Sequence, residues 1–429
     1  MSAALPNYEQ AAAVVTAYAN ELSKRVRPSS ETVELGRAQG RVLAQPLRAD
    51  QDQPPFARST RDGFACRAKE AFVHASLRIA GSTHAGEAPA GPLPRGAAWE
   101  IMTGAPVPVG ADCVVMLEHV EKTAGTHSDN IRLLPPRKIE AGDNVVAQGA
   151  QAHAGDQLLH GGSALGAAQI ALAASCGNST VDVFARPRVA ILTTGDELVP
   201  VDAVPGPGQI RNSNAPMLAA LVANAGGEPW VLPNAADTDQ ALDEALRHAT
   251  EADMLLISGG VSAGKFDLVE PALARIGARF HFTGVRIQPG KPLVFGELPM
   301  GGADHRSASG ASTLPFFGLP GNPISSAATF LLFAAPVLAA LSGSSESGPR
   351  FALARLHEET NRKGKSDLTR FLPARCNFNP TTGELPHVET VPWHGSGDLA
   401  AFARSNCFLV VPEDAGLLEA GSVVRILLF

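Results

Sequence analysis

Apolar runs and polar, glycine-rich turns divide the chain into regions with different secondary structure. Near the start, apolar residues recur at the spacing of one helix face, which predicts a helix over residues 8–25. Residues 50–64 are polar and proline-rich, which predicts a loop. Over residues 77–134 short apolar runs alternate with Gly/Pro turns, and a helical pattern returns at 164–174. The pattern therefore predicts a small all-β insert that interrupts a first domain.

From residue 188 the pattern becomes one of apolar strands separated by helices. Continuous apolar runs at 189–192, 230–232 and 254–257 are typical of buried parallel strands. Further strand candidates are 280–282, 293–295 and 316–317, and Ser213 and Asp237 are candidate helix caps. This alternation predicts a doubly wound α/β sheet. Because ligands bind at the carboxyl ends of such strands, we expect the loops after Leu192, Ile257 and Phe317 to meet at one crevice.

The pattern in the last third of the chain predicts a helix, a linker and a small β domain. Residues 324–341 are mostly apolar but contain Ser325, Ser326, Thr329 and Pro336, which favours a buried core helix over a membrane span. Residues 301–313 are interpreted as a surface loop and 342–349 as a linker. The short β runs after residue 350 predict a β-barrel or sandwich. The expected domains are 1–46 with 146–186, the insert 47–145, the α/β domain 187–343, and 350–429.

Composition narrows the function classes. A chain of 429 residues is long enough for two to four domains, and its net charge of −7 argues against nucleic-acid binding. Five scattered cysteines without a C-x-x-C pair indicate free thiols in a reducing cytoplasm, and the first residues lack a signal-peptide pattern. The histidines lack zinc-ligand spacing, and neither a G-x-S-x-G elbow nor a G-x-G-x-x-G loop is present.

A glycine-rich loop follows the third apolar run and resembles an incomplete nucleotide P-loop. Gly259, Gly264 and Lys265 have the required spacing, but Phe266 stands where Ser or Thr would ligate magnesium. The glycines can present backbone N–H groups to an anion, and the nearby Asp267 requires a bridging divalent cation. We therefore expect a phosphate-type ligand, with a P-loop ATPase as the weaker alternative.

Further acidic and anion-binding candidates lie in neighbouring loops. Glu197 follows the first strand and Asp237 precedes a later helix, so both can join Asp267 around Mg²⁺. The competing interpretation is that Asp237 only caps a helix. Lys291 lies on a Pro-Gly-Lys-Pro turn, and a Gly-Asn-Pro turn precedes the helix carrying Ser325, where N–H groups attract oxyanions. One such turn is explained by structure alone, but three converging turns favour a binding site.

Six motifs occur in order along the chain. They are Asp62-Gly-Phe-Ala65, Ile101-Met-Thr-Gly-Ala-Pro-Val-Pro108, Thr194-Gly-Asp-Glu197, Ser258-Gly-Gly-Val-Ser262, Pro289-Gly-Lys-Pro292 and Gly318-Leu-Pro-Gly-Asn-Pro323. With them the chain resembles the molybdopterin molybdenumtransferase (MoeA) family, and it is also similar to the gephyrin E domain. The resemblance covers residues 8–429 and includes six ordered motifs, so it is specific.

The resemblance implies a reaction and an assembly. The family inserts molybdate into adenylylated molybdopterin with Mg²⁺ and releases AMP, as a cytoplasmic homodimer of four-domain subunits. The implied catalytic residues are Asp62 and Thr103, from the partner subunit's insert, with Glu197, Asp237 and Asp267, of which the last three would bind Mg²⁺. The implied substrate-binding residues are Asp143, Thr194, Gly259, Gly260, Ser262, Gly264, Lys265, Lys291, Pro292, Gly321, Asn322, Ser325, Arg370 and Ser396. Implied partners are a molybdopterin adenylyltransferase and molybdoenzyme chaperones, with neither a nucleic acid nor a membrane span.

Two positions depart from the family pattern. Gln288 stands where many relatives carry lysine, and Arg61 stands where methionine is common. The first removes a positive charge from the implied anion pocket, and Arg61 is one candidate to replace it. A non-catalytic dimeric scaffold like gephyrin and a tungstate-inserting paralogue stay open as alternatives.

Overall fold

The computed structural model describes residues 4–26, 28–88, 91–124, 129–135, 138–260, 268–300, 313–346, 348–361, 367–378 and 383–429. The chain forms two compact units, which are described separately. Unit 1 comprises Met1–Gln45, Gly161–Ile170 and Thr180–Phe429, and unit 2 comprises Pro46–His160 and Ala171–Ser179. The helices are α1 (Tyr8–Arg25), α2 (Ala167–Ser175), α3 (Asn214–Asn224), α4 (Asp239–Ala249), α5 (Val269–Arg275), α6 (Pro323–Thr329), α7 (Ala335–Leu341) and α8 (Leu399–Arg404).

Unit 2 is built on a six-stranded sheet in the order β7-β4-β6-β5-β9-β8. These strands are β4 (Gly63–Cys66), β5 (Ser76–Thr83), β6 (Ala97–Ile101), β7 (Cys113–Met116), β8 (Val120–Thr123) and β9 (Asn130–Leu133). Two short ladders complete the unit: β2 (Leu47–Arg48) with β11 (Gln157–Leu159), and β3 (Arg58–Ser59) with β10 (Val145–Val146). The predicted β insert is therefore present, but β3 and the start of β4 fall within residues 50–64, where the sequence predicted only loop.

The centre of unit 1 is a second six-stranded sheet, in the order β16-β13-β17-β21-β20-β18. Its strands are β13 (Arg188–Thr193), β16 (Glu228–Val231), β17 (Met254–Ser258), β18 (Arg279–Thr283), β20 (Val294–Pro299) and β21 (Thr313–Leu319). The first four in the order are parallel, and β20 and β18 are antiparallel to their neighbours. Short ladders join β1 (Ser30–Glu34) to β12 (Thr180–Phe184) and β14 (Leu198–Val199) to β15 (Ile210–Arg211).

Alternate residues of β13 enter two separate cores. Val189 and Ile191 pack with α1, α3 and the α6–α7 helix, whereas Ala190 and Leu192 pack with α4 and α5. A sheet buried on both faces requires continuous apolar strands, which is why the strand pattern was readable in the sequence. The predicted doubly wound α/β domain is confirmed.

The C-terminal region of unit 1 is a closed barrel. The ring runs β24-β25-β22-β28-β26 and closes through β24–β26 pairing. Its strands are β22 (Phe351–Leu356), β24 (Thr369–Asn377), β25 (His387–Thr390), β26 (Cys407–Val411) and β28 (Val423–Leu428), with β23 (Thr360–Asn361) and β27 (Leu417–Leu418) pairing outside the ring. Strand β19 (Ile287–Gln288) adds to β24, and closure confirms the predicted C-terminal barrel.

The apolar helix of unit 1 runs from Pro323 to Leu341 through a π-helical turn, Phe330–Ala334, between α6 and α7. It is long and apolar enough to cross a membrane, but 83% of its most apolar 18-residue window is buried inside the protein. A helix interrupted by Pro336, which lacks an N–H group, accommodates a π turn readily. The helix is the core element that the sequence favoured.

Two helix caps and one loop boundary differ from the sequence predictions. Ser213 precedes α3 but makes no capping bond, because Asn212 accepts the N–H of Ala215 instead, at 3.1 Å. Asp237 does not cap α4, since Thr238 is the cap and accepts from Ala241. The predicted 301–313 loop ends earlier than expected, because β21 begins at Thr313, and residues 301–312 lie outside the described part.

Replacing Gly296 with alanine should destabilise unit 1. A Cβ at Gly296 would lie 2.5 Å from both the Arg279 carbonyl oxygen and the Phe316 ring. Overpacking of this kind costs about 1–3 kcal/mol of unfolding free energy. Urea denaturation should show this loss for Gly296→Ala and almost none for Gly36→Ala, whose Cβ meets nothing within 4 Å. Equal stability of the two variants would contradict the packing described for β20.

Candidate functional site

The carboxyl ends of three parallel strands meet at one edge of the unit 1 sheet. After β13 the Thr194 N–H donates to the Ser258 carbonyl at 3.1 Å, and after β17 the Gly259 N–H donates to the Leu319 carbonyl at 3.3 Å. A Cβ on Gly321 would lie 3.7 Å from the Gly259 Cα, so the turns after β17 and β21 are adjacent. The three loops thus meet as the strand pattern predicted, and the edge is the candidate site.

Glycines form the middle of this edge. Gly259 and Gly260 have φ of +100° and +61°, a region that favours glycine. A Cβ on either would lie within 3.0 Å of Thr194 atoms, so any side chain would fill the space between the turns. Thr194 is 6% exposed, and within the described residues its Oγ1 has no hydrogen-bond partner. Gly259, Gly260 and Thr194 are called the glycine cradle below. The cradle therefore holds a buried hydroxyl that is available to a polar group.

Three carboxylates gather at the β13 end. The Asp237 N–H donates to Asp196 at 3.1 Å, and the Asn234 side chain donates to the Gly195 carbonyl at 3.0 Å. A Cβ on Gly195 would lie 2.5 Å from a Glu197 carboxylate oxygen, so the Glu197 side chain folds back over this glycine. Both Glu197 and Asp237 are exposed to solvent. The loop therefore presents negative charge at the edge.

The surroundings of Asp237 raise the pKa of its carboxyl group, with partial burial as the largest cause and the neighbouring negative charges as the next. Burial raises the pKa above its usual range, the Asp196 and Glu197 carboxylates raise it further, and a backbone hydrogen bond from Asp196 acts in the opposite direction. Like charges disfavour ionisation of one another, and a bound cation reverses that effect. The donor set is hard oxygen, which Mg²⁺ prefers, so these residues fit that ion.

The acidic group is nevertheless incomplete in the described part of the chain. There, no three His, Cys, Asp or Glu side chains are arranged to hold a metal ion. The predicted ligand Asp267 lies outside the described residues, as do Ser262, Gly264 and Lys265. The predicted ligands Glu197 and Asp237 share the β13 edge.

A second group of predicted residues lies along α6. The Lys291 turn rests on the helix, because a Cβ at Gly290 would lie 2.6 Å from the Thr329 Cγ2. Thr329 donates its hydroxyl to the Ser325 carbonyl at 2.7 Å. Lys291 is exposed and Pro292 half-buried, whereas Ser325 is buried. Gly290 has φ of +115°, so glycine is required for this close approach.

The barrel contributes the remaining predicted residues of this group. The Ile324 N–H donates to the Ser396 carbonyl at 3.0 Å, which holds the Ser396 loop against the start of α6. Arg370 is the strand partner of Gln288 in the β19–β24 ladder. Ser325 and the Ser396 loop therefore lie at the start of α6, with Asn322 exposed at the cap, whereas the Lys291 turn rests on Thr329 at the end of this helix. Arg370 is placed through its pairing with Gln288.

Unit 2 holds the other predicted residues. Asp62 accepts the Thr103 N–H at 2.7 Å, so the first two sequence motifs are in direct contact. The Thr60 N–H donates to the Asn144 carbonyl, and Asp143 accepts the Glu140 N–H at 3.1 Å. These bonds place Asp62, Thr103 and the Asp143 turn on one unit.

Sequence reasoning missed a polar residue of the unit 1 edge. Asn214 donates to the Ser258 Oγ at 2.8 Å and to the Gly321 carbonyl at 2.6 Å. Ser326 donates to the Pro320 carbonyl at 2.7 Å and lies 3.3 Å from the Ser258 hydroxyl. An Asn-Ser-Asn run before a helix was interpretable only as a cap, so the sequence offered little signal for these bonds.

The large cavity of about 960 Å³ in unit 1 lies elsewhere. Its walls include Phe184, Leu221, Phe330 and Phe429, and none of the predicted site residues lines it.

Known proteins match the chain along nearly all its length. Profiles of the MoeA N-terminal region (domain I and II), the probable molybdopterin binding domain and the MoeA C-terminal region (domain IV) match residues 7–177, 190–340 and 354–429. A molybdopterin molybdenumtransferase of Nostoc sp. is 35% identical, covering 93% of this chain and 88% of the relative. One of Synechocystis sp. is 31% identical, covering 91% and 93%.

A solved structure gives the same result. The molybdopterin biosynthesis MoeA protein of Pyrococcus horikoshii OT3 superposes with a TM-score of 0.77 at 26% identity, covering 99% of this chain and 100% of that one. The resemblance in the six motifs thus extends to the whole sequence and to its folded architecture, and the chain belongs to the molybdopterin molybdenumtransferase family.

Proposed function

We propose that the protein inserts molybdate into adenylylated molybdopterin, with Mg²⁺-dependent release of AMP. Because the chain belongs to this family, the protein is a transferase of molybdenum cofactor biosynthesis. The observation that supports the more specific proposal is that acidic and basic residues form separate groups in unit 1. Asp196, Glu197 and Asp237 lie at the end of β13. The Lys291 turn rests on α6, and Arg370 pairs with Gln288 just before that turn.

The spacing of the unit 1 edge suits a substrate with a pyrophosphate and a dithiolene at different positions. Neighbouring strands lie about 4.8 Å apart, so the ends of β13 and β21 are separated by roughly 10 Å. The glycine cradle lies between them and offers room for close backbone approach. Glu197, Asp237 and Asp267 would hold Mg²⁺, which would supply charge neutralisation to the pyrophosphate.

A group of anion-binding side chains would concentrate molybdate next to the pyrophosphate. Lys291 and Arg370 supply positive charge, and the Ser325 and Ser396 hydroxyls can donate to molybdate oxygens. A molybdate oxygen then attacks the molybdopterin phosphorus, and a new P–O bond forms as the bond to the AMP phosphate breaks. AMP leaves with the bonding electron pair. The two dithiolene thiols then form two Mo–S bonds: the bridging Mo–O bond breaks with its electron pair left on the phosphate, and one oxo group leaves as water with the two thiol protons. Thr194, Gly259, Gly260, Pro292, Gly321 and Asn322 would shape the cleft for the rest of the substrate, and Asp143 belongs to the same proposal.

The proposal includes an assembly and a location. The protein would be a cytoplasmic homodimer without a membrane span, in which Asp62 and Thr103 act from the partner subunit. It would receive substrate from a molybdopterin adenylyltransferase and deliver product to molybdoenzyme chaperones. These partners rest on the family resemblance.

Removing the Glu197 carboxylate should strongly slow AMP release. With adenylylated molybdopterin, Mg²⁺ and molybdate, Glu197→Gln should be slowed by about 100-fold, equivalent to ~2.7 kcal/mol of barrier. Glu244→Gln is the matched control, since Glu244 is an exposed carboxylate on α4. Equal rates for Glu197→Gln and wild type, measured by chromatography of AMP, would remove Glu197 from the mechanism.

The carboxylate group predicts a dependence of stability on pH. Because the folded-state pKa of Asp237 is raised, its charged form opposes folding, and stability falls as pH rises from the unfolded value of about 3.9 through the raised one. In metal-free protein Asp237→Asn should therefore melt at a higher temperature at pH 7, and this gain should vanish in acid. Asp202→Asn, an exposed acid of the same unit, should show no such gain.

Added Mg²⁺ should raise the melting temperature of the wild type and of Asp202→Asn, because binding to the folded state stabilises it. Asp237→Asn should respond much less. A full Mg²⁺ response in Asp237→Asn would mean that the ion, if bound, is held elsewhere.

The molecular mass in solution tests the proposed dimer directly. Light scattering after gel filtration should give a mass of 89 kDa, twice the 44.5 kDa chain. A mass of 44.5 kDa at micromolar concentration would contradict the proposed assembly.

A further inference from the structure

Asn214 connects three elements of the unit 1 edge with one side chain. It is the first residue of α3, and its Nδ2 group donates to the Ser258 Oγ at 2.8 Å and to the Gly321 carbonyl at 2.6 Å. Ser258 directly precedes Gly259 and Gly260, and Gly321 directly follows Pro320. Both protons of the amide are therefore used to hold the Gly259 and Gly321 turns.

The orientation of this amide is fixed by chemistry. The Gly321 carbonyl oxygen can only accept, so rotating the Asn214 amide would place oxygen against oxygen at 2.6 Å. In the fixed orientation the Asn214 Oδ1 is buried and lacks a partner among the described residues. A buried acceptor without a donor costs stability. Asparagine at this position thus uses both of its amide protons on the two turns, while its own oxygen has no partner in the described part of the chain.

The bond to Gly321 also sets the direction of the next peptide group. In a trans peptide the C=O and N–H bonds point in opposite directions, so holding the Gly321 carbonyl towards α3 turns the Asn322 N–H away from it. Asn322 is exposed, and its N–H donates to no acceptor in the described chain. The second bond, to Ser258, holds the Gly259 turn at a fixed distance from the Gly321 turn.

We propose that Asn214 is a positioning residue of the transfer reaction. It sets the spacing of the Gly259 and Gly321 turns and the direction of the Asn322 N–H, without touching substrate. This inference rests on the proposed function, because it assumes that substrate lies across these turns. Loss of the amide should therefore weaken substrate binding more than it slows the bound complex.

The first experiment separates positioning from simple stabilisation. Asn214→Ala should raise the KM for adenylylated molybdopterin by about tenfold, equivalent to ~1.4 kcal/mol of substrate binding, with a smaller change in kcat. Asn212→Ala is the matched control, because Asn212 is in the same loop and its side chain, among the described residues, bonds Ala215 of α3 and Thr193 but neither Ser258 nor Gly321. It should lower the melting temperature and leave KM unchanged when both variants are assayed well below melting.

A second variant tests the donor itself. Asn214→Asp has the same shape, but its carboxylate would repel the Gly321 carbonyl, so KM at pH 8 should be at least as high as for Asn214→Ala. As pH falls, protonation gives the aspartic acid one O–H donor, and its KM should recover towards the wild-type value. As pH falls, the KM of Asn214→Ala should change no more than the KM of the wild type. A residue with only a structural role would not move KM with pH in this way.

The outcomes distinguish this inference from the proposed function. If wild type releases no AMP, the proposed function fails, and calorimetry with AMP and with molybdate as separate probes decides the positioning role. Weaker binding of either probe by Asn214→Ala, but not by Asn212→Ala, supports it. Unchanged KM and probe binding in Asn214→Ala, a flat pH response in Asn214→Asp, or binding of neither probe by wild type would overturn it.

Discussion

The parallel pairing of β13, β17 and β21 is the constraint on which the site depends. Their ladders continue one step past the strands, through the Thr194–Ser258 and Gly259–Leu319 bonds, so three loops leave the sheet at the same edge. Neither charge group would have a fixed position without this pairing. The strands remain together because both faces of the sheet are buried, one under α1, α3 and the α6–α7 helix and the other under α4 and α5.

Acidic and basic side chains are then kept in separate groups. At the end of β13, partial burial and then the Asp196 and Glu197 carboxylates raise the pKa of Asp237, and a hard cation would relieve the repulsion. Elsewhere in unit 1, the Lys291 turn rests on Thr329 of α6, and Arg370 is held beside it by the pairing of Gln288 with β24. Separate negative and positive groups suit the proposed reaction of an oxyanion with a metal-neutralised pyrophosphate.

Most of the fold was predictable because burial leaves a strong signature in sequence. The continuous apolar strand at 189–192 and the helix from Pro323 to Leu341 were readable from composition and length alone. Caps were less predictable, since Asn212, Ser213, Asp237 and Thr238 are all residues that cap helices well. Only three-dimensional packing decides which of them bonds to the helix.

The candidate site was predictable in part. Glycine-rich turns after apolar strands identified Gly259 and Gly321, because few residues other than glycine serve a close approach. Asn214 was not identified, since its partners are 44 and 107 residues away in sequence. The contact between Gly290 and Thr329 is equally non-local. Long-range hydrogen bonds of this type leave no periodic pattern in the sequence.

The dependence of AMP release on molybdate tests the central claim most directly. If molybdate held near α6 is the nucleophile, purified protein with adenylylated molybdopterin and Mg²⁺ should release almost no AMP until molybdate is added. The rate should then rise to saturation, and Arg370→Ala should require a higher molybdate concentration. AMP release at the same rate with and without molybdate would show that water attacks instead, and would contradict the account.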